Sequence, residues 1–397
     1  MQNRNTIRKQ IGRPYLTGFK ALAILACATI MTLPTPARAA TRNESGIATS
    51  ATLIWMKPND LERRLQDIDA LGATWVRVDF SWPAIQPTDA DTYDWEKYDR
   101  LVEASSAHGL KILAMVAYTP AWARDPACAA AAKNEQAAQK CEPRDPEEFG
   151  HFAGAIAHHF AGKNIRGWEI WNEPNLSGYW KSAQSDGKLY VDPLAYARIA
   201  NAAAWNIRQF NSDCAIVTGG LSPMFEPRYP KGMRQSDYLG TVLPHLEKDL
   251  FTGIGIHPYS WPVLPTLAAD YNAFYTVDNG DEKYNLRTVM EKNGWDTKEI
   301  WATEYGASTE GLRATRTRWA RPDHVTESQQ AAIISDGVEA WYHKRNVGPL
   351  FVHSDTDEQL EDHSNEGGFG MRRPDGSKKP AYDQYKQAVL DVGVGRQ

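Results

Sequence analysis

The chain has 397 residues, 44 of them basic and 49 acidic, for a formal net charge of −5 at pH 7, and 42% are apolar, including 14 tryptophans and 17 tyrosines. That is enough apolar material for a sizeable core, and the acidic balance with no basic stripe excludes a nucleic-acid-binding surface built on bulk charge. Beyond the N-terminus no second run is long and apolar enough to span a bilayer, which excludes a polytopic membrane protein.

Residues 1–39 read as a signal peptide. Arg4, Arg8, Lys9, Arg13 and Lys20 make a basic segment without acids, Ala21 to Leu33 is a short apolar stretch, and Ala37-Arg38-Ala39 has the small-residue pattern of a cleavage site. Cys27, inside the apolar stretch, gives a lipoprotein as the other reading. Cleavage leaves a chain starting near Ala40, periplasmic or secreted, with no membrane span. Its net charge falls to −11, because the removed segment carries six basic residues and no acids. In an oxidising compartment Cys128 and Cys141, thirteen apart in a polar, Ala-rich loop, are expected to pair. Cys214, in the apolar run "CAIVTGG", reads as a buried free thiol, and the cysteine spacing fits no zinc motif.

Residues 40–397 read as one domain in which strand-like runs alternate with helical segments. A weak first strand lies near Gly46–Thr49. The segment "NDLERRLQDIDALG" keeps Leu61, Leu65, Ile68 and Leu71 at helical spacing and leads to the strand "GATWVRVDF" at 72–80. "YDRLVEASSAHG" precedes "GLKILAMVAY" at 109–118, and "EEFGHFAGAIAHHFAG" precedes "RGWEIWNE" at 166–173. "PLAYARIANAAAWNIRQFN" precedes "DCAIVTGG" at 213–220. "FTGIGIHPY" (251–259), "EIWATEYG" (299–306) and "VGPLFVHS" (347–354) each follow their own helical segment. Eight such units predict an α/β fold, a single (β/α)8 TIM barrel. A doubly wound open sheet is the alternative, but no Gly-rich phosphate loop follows any strand.

Barrel enzymes place their chemistry at the C-terminal ends of the strands. There this chain has "NEP", "HPY" and "EYG". Glu173 closes the fourth strand and Glu304 the seventh. Two carboxylates facing each other across a barrel mouth suit glycoside hydrolysis, where retaining enzymes hold them about 5–5.5 Å apart. Either glutamate taken alone also reads as one half of a structural ion pair.

Together, "WEIWNEPN", "GIHPYS", "WVRVDFSW" and "WATEYG" resemble clan A glycoside hydrolases. Within the clan the chain most resembles family 39 and related bacterial exopolysaccharide endoglycosidases, over essentially all of residues 40–397. The resemblance implies Glu173 as acid/base and Glu304 as nucleophile. It further implies that Asn172 holds a substrate 2-hydroxyl, that Arg77 and Tyr259 hydrogen-bond the nucleophile, and that His257 contacts substrate or the acid/base.

Strand alternation puts Arg77 on one face with Asp79, and His257 on one face with Tyr259, Gly253 and Gly255. An Arg and a Tyr beside Glu304 would stabilise its anion. Glu169 falls one layer below the mouth and reads as a buried structural carboxylate with Arg77 as a candidate partner. Aromatic residues near strand ends are candidate sugar platforms: Trp82, Tyr118, Trp122, Tyr179, Trp180 and Trp261, with Trp122 and Trp180 preferred. Clan members commonly carry a tryptophan after strand eight. Here the segment is "LFVHSDTDEQ", so His353 or Phe351 is expected to take its place. Asp355, Asp357 and Glu358 read as a solvated acidic loop, with a calcium site as the other reading. No cofactor is implied, and no C-terminal β-sandwich is expected. The function expected is a secreted retaining hydrolase of a β-linked polysaccharide or oligosaccharide, exopolysaccharide included. The alternatives are an exo-acting β-xylosidase-like enzyme and a non-catalytic sugar-binding barrel; loss of a carboxylate would mark the last, and both carboxylates are present.

Overall fold

Short β-branched and aromatic runs give eight parallel strands: β1 (Ser45–Ala48), β2 (Trp75–Ser81), β3 (Lys111–Ala117), β4 (Ile165–Asn172), β5 (Ala215–Gly220), β6 (Gly253–Ile256), β7 (Glu299–Tyr305) and β8 (Val347–His353). They close a barrel in sequence order, with β8 pairing back onto β1 through Ser45↔Leu350 to Ala48↔His353. The computed structural model describes residues 44–225, 232–310, 324–358 and 365–394, all within one compact unit. The signal-peptide reading and Cys27 lie outside the described residues. No helix among the described residues is long and apolar enough to cross a membrane.

After each strand comes one main helix: α1 (Pro58–Ala70), α2 (Glu96–Ala107), α3 (Pro146–His159), α4 (Pro193–Phe210), α5 (Gln235–Val242), α6 (Leu286–Lys292), α7 (Glu327–Tyr342) and α8 (Pro380–Asp391). Two of them start with the same device. Asp145 and Asp192 cap the first backbone amides of α3 and α4, and the following proline fills the first helical position, where no amide is needed. A reciprocal Thr326–Gln329 capping box starts α7. The (β/α)8 expectation is what the chain adopts. Two details differ: β6 ends at Ile256, so His257 and Tyr259 stand beyond the strand, and the β4–α4 connection contains a small hairpin of Ser182–Ala183 with Leu189–Tyr190.

The main core lies between sheet and helices, and a second apolar cluster plugs the barrel interior with Trp75, Leu113, Val217, Trp301 and Phe351. Trp75 meets Trp301 edge-on at 5.8 Å and Phe351 at 6.2 Å. The plug is tight enough that a Cβ on Gly348 would lie 2.3 Å from Trp301 Nε1, so only glycine fits there. Phe351 is therefore part of the plug and does not replace the missing strand-eight tryptophan. The acidic loop also differs from its solvated reading. Asp355 pairs with Arg64, and Asp357 pairs with Lys379 at 2.7 Å, both acids buried, because carboxylates removed from water need a cation. Glu358 accepts a hydrogen bond from Thr52 Oγ1.

Cys128 and Cys141 form the expected disulfide, with Cα atoms 5.8 Å apart, and Cys214 is a buried free thiol. The disulfide closes the β3–α3 connection. Replacing both cysteines by serine should lower unfolding free energy by about 2–4 kcal/mol in urea denaturation. A non-reduced digest should yield the two peptides linked, and two free thiols in protein from an oxidising compartment would contradict the pairing.

Candidate active site

Above the apolar plug, the strands' inward faces carry charge. Arg77 on β2 is buried and points its guanidinium at three partners. Its Nε donates to Glu169 Oε2 at 2.5 Å, one terminal nitrogen donates to Glu304 Oε1 at 2.7 Å, and the other donates to Asn172 Oδ1 at 2.8 Å. Glu169, fully buried, also accepts from the Gly220 amide at 2.9 Å. It is the structural carboxylate expected from its place below the mouth. Burial alone would lower the Arg77 pKa, but the charges of Glu169 and Glu304 reverse this and raise it.

Glu304 has further donors. Tyr259 Oη donates to its Oε2 at 3.0 Å, and His257 Nδ1 lies 3.4 Å from the same oxygen. Burial pushes this carboxyl upward, yet His257, Arg77, His353 and the Tyr259 hydrogen bond outweigh it and lower its pKa to about 2. Glu173 faces it. His257 Nδ1 is 2.9 Å from Glu173 Oε1, so one ring nitrogen links the two glutamates. One oxygen from each glutamate and one His257 nitrogen all lie within 4.8 Å of one another. Burial tends to lower the His257 pKa, but Glu304 and Glu173 raise it.

The strand alternation read from sequence breaks in β4. Glu169 points inward, Ile170 and Trp171 both pack into the outer core, and Asn172 and Glu173 both line the cavity. Trp171 and Glu173 take left-handed backbone conformations, with φ of 73° and 44°. Such geometry is costly for non-glycine residues. It is what lets two consecutive polar side chains face one cavity.

That cavity measures about 540 Å³ and is also walled by Asp79, Tyr118, Lys140, Tyr179, Trp261, His353, Glu366 and Phe369. Size and mixed lining fit a small-molecule site. Of the residues expected here, Arg77, Asn172, Glu173, Tyr259, Glu304, Trp261 and His353 come together with His257, which lies buried behind both glutamates. His353 packs 5.1 Å from Phe369, and Trp261 meets the same ring at 6.1 Å. The preferred platforms do not hold. Trp180 is fully buried, edge-on to Trp171 at 5.0 Å, with its Nε1 donating to the Asp192 carbonyl. Trp122 packs edge-on to Trp82, and Trp82 stacks on Phe152 in the core. Tyr118 and Tyr179, from the same set of candidates, do line the cavity. Sequence reasoning missed Lys140, Glu366 and Phe369, and it noted Asp79 only as Arg77's neighbour in alternation.

A family model described as Cellulase (glycosyl hydrolase family 5) matches residues 36–338. The chain belongs to glycosyl hydrolase family 5. As a member it is an O-glycosyl hydrolase of the retaining type, within clan A. Solved structures similar to this family 5 chain include a family 39 glycoside hydrolase from Bacteroides cellulosilyticus, at TM-score 0.61 and 19% identity, covering 90% of this chain and 66% of that one. A monomeric beta-xylosidase from Caulobacter crescentus has TM-score 0.61 and 18% identity, covering 88% and 69%. The family 39 enzyme from Xanthomonas axonopodis pv. citri has TM-score 0.61 and 19% identity, covering 91% and 69%. At these identities the likeness is one of fold, and the chain spans about two thirds of the length of these relatives. No curated protein matches the sequence.

Replacing Arg77 with Met strands Glu169 in the barrel without a cation. Urea denaturation should show a loss of about 3–5 kcal/mol, and adding Glu169→Leu should recover part of it. A Glu169→Leu addition that deepens the loss would contradict this pairing. Glu304 makes a second prediction. Its pKa is lower in the folded chain than in the unfolded one, so its stabilising contribution is complete above about pH 4.5 and is lost as pH falls towards about 2. Between those limits wild-type protein should lose on the order of 3 kcal/mol more stability than Glu304→Gln.

Proposed function

We propose that this enzyme is exported and cleaves β-linked glycans by double displacement, with Glu304 as nucleophile and Glu173 as acid/base. The observation that carries the reading is the unequal treatment of two facing carboxylates. Glu304 is held anionic by Arg77, Tyr259 and His257, as an attacking carboxylate must be. Among the described residues Glu173 has no hydrogen bond from Arg77 to its carboxylate and one contact with His257, which orients it toward the space between the two. One oxygen of each carboxylate within 4.8 Å of the other supports the close spacing of a retaining pair over the wider one that an inverting enzyme needs for its water.

In this reading Glu304 attacks the anomeric carbon while Glu173 gives its proton to the departing oxygen. A covalent glycosyl-enzyme forms, with configuration inverted. Glu173, now ionised, takes a proton from water, which attacks the same carbon and releases Glu304. Two inversions return the β configuration. Asn172, fixed by Arg77, presents its amide NH2 to the 2-hydroxyl of the reacting sugar. Residues 40–397 form the catalytic barrel and residues 1–39 are removed on export, a reading supported by the basic-then-apolar N-terminus and by the disulfide. The substrate is a polysaccharide, exopolysaccharide included. Exo-acting β-xylosidase-like cleavage is the second reading, and its support is the likeness in fold to the Caulobacter beta-xylosidase.

Aryl β-glycosides of mono- and disaccharides test the roles. With a 2,4-dinitrophenyl leaving group, which departs without a proton, Glu173→Gln should keep the first step near wild-type rate and show a burst. With natural glycans it should lose roughly 10²–10⁴-fold. Glu304→Gln should lose at least roughly 10³-fold on every substrate. Equal losses for both variants on the dinitrophenyl glycoside would contradict the division of labour.

A further inference from the structure

Two charged side chains in the cavity wall remain after these assignments. Asp79 stands two residues beyond Arg77 on the inward face of β2, and Lys140 adjoins Cys141 in the β3–α3 connection. Both line the cavity. Among the described residues, neither the Asp79 carboxylate nor the Lys140 ammonium makes an ion pair or hydrogen bond within the protein, although Arg77, two residues before Asp79, does.

Lys140 is held in place. Its amide donates to Ala137, its carbonyl accepts from the Lys181 amide at 3.0 Å, and its neighbour Cys141 is locked by the disulfide. Its ammonium lies over the Tyr118 ring, 2.8 Å from the centroid, and 5.5 Å from that of Tyr179. Burial pushes the Asp79 carboxyl up to about 6, against the pull of Arg77 and Lys140. It pushes Lys140 down to about 7, against the pull of Asp79. Charges drawn out of water without an ion pair or hydrogen bond weaken a fold unless something else satisfies them.

We propose that Asp79 and Lys140 form a hydroxyl-reading subsite that takes two neighbouring hydroxyls of an uncharged sugar ring, with Tyr118 and Tyr179 as its apolar wall. A carboxylate only accepts and an ammonium only donates, whereas each sugar hydroxyl does both. One hydroxyl of a diol donates to Asp79 while its neighbour accepts from Lys140, and both charges are satisfied by one ring. A charged group on the ring can pair with only one of the two and faces the like charge of the other, so the pair matches a neutral diol best. A ring lacking one of the hydroxyls leaves a charge unpaired, which discriminates more strongly than an apolar contact does. The subsite rests on the glycosidase reading above.

The test uses the full chain and the fastest substrate among the 4-nitrophenyl β-glycosides of mono- and disaccharides, with that substrate's monodeoxy derivatives. Asp79→Asn and Lys140→Met should each lower kcat/KM on the parent roughly tenfold to hundredfold, the cost of one hydrogen bond to a charged group. Wild-type enzyme should show a similar loss on the deoxy derivatives missing either of two adjacent hydroxyls. On the matching deoxy derivative, the variant should lose little more than wild type does. Multiplying penalties, or parent-like kinetics in both variants, would overturn the subsite while leaving the glycosidase reading intact. Wild-type enzyme that is indifferent to every deoxy derivative would overturn the subsite without recourse to any variant. Failure of wild-type enzyme to cleave any β-glycoside would overturn both readings.

Discussion

Arg77 is a buried cation shared among Glu169, Asn172 and Glu304, and these contacts tie β2 to β4 and β7 across the barrel interior. A guanidinium is suited to this because its five N–H donors lie in one plane and it stays protonated at any working pH. Taking it out of water is expensive, and removing one partner costs more than the pair contributes. Two carboxylates around one cation leave the cluster with an excess of negative charge. His257, drawn toward protonation by Glu304 and Glu173, partly balances it. The same electrostatics that hold the interior together thus keep Glu304 ionised. The proposed nucleophile belongs to the network that ties the barrel together.

The plug beneath this cluster and the backbone beside it fix its height. Trp75, Trp301 and Phe351 fill the barrel below Arg77. Glu173 sits at its rim on a left-handed residue, its amide bonded to the Gly220 carbonyl at 3.1 Å. Gly220 is itself constrained, since a Cβ there would lie 2.2 Å from His257 Nε2 and 2.4 Å from Thr303 Oγ1. Strand five therefore has to pass close behind the histidine that bridges the glutamates. Backbone strain at Trp171 and Glu173 persists because neighbours on β3, β5 and the outer core over-determine their positions.

Much of this was legible in the sequence where a side chain's place follows from strand position. Period-two alternation put Arg77 and Asp79 on one face, and the strand-end motifs put Glu173, His257 and Glu304 at one rim. Most of what failed depends on how loops fold back. Trp122 and Trp180 sit among polar residues in sequence, yet the connections fold back and bury Trp180 against Trp171 and set Trp122 on Trp82. Glu366 and Phe369 reach the cavity from the long segment after β8, and nothing periodic marks them. Asp355 and Asp357 looked solvated because their partners, Arg64 and Lys379, are remote or unremarkable in sequence. The break in alternation at Trp171 was equally hidden, since a left-handed tryptophan has no sequence signature.

In the proposed mechanism a Glu304 carboxylate oxygen, held anionic by Arg77, is the electron-pair donor that bonds to the anomeric carbon of the sugar. Incubating the enzyme with a 2-deoxy-2-fluoro β-glycoside carrying a dinitrophenyl leaving group slows both steps and lets the glycosyl-enzyme accumulate. Intact-mass spectrometry followed by peptide mapping then locates the sugar. One fluoroglycosyl group on the peptide containing Glu304, absent in Arg77→Met protein or formed far more slowly there, is the result expected. A label on Glu173, or a first-formed hydrolysis product of α configuration with no covalent adduct, would contradict it.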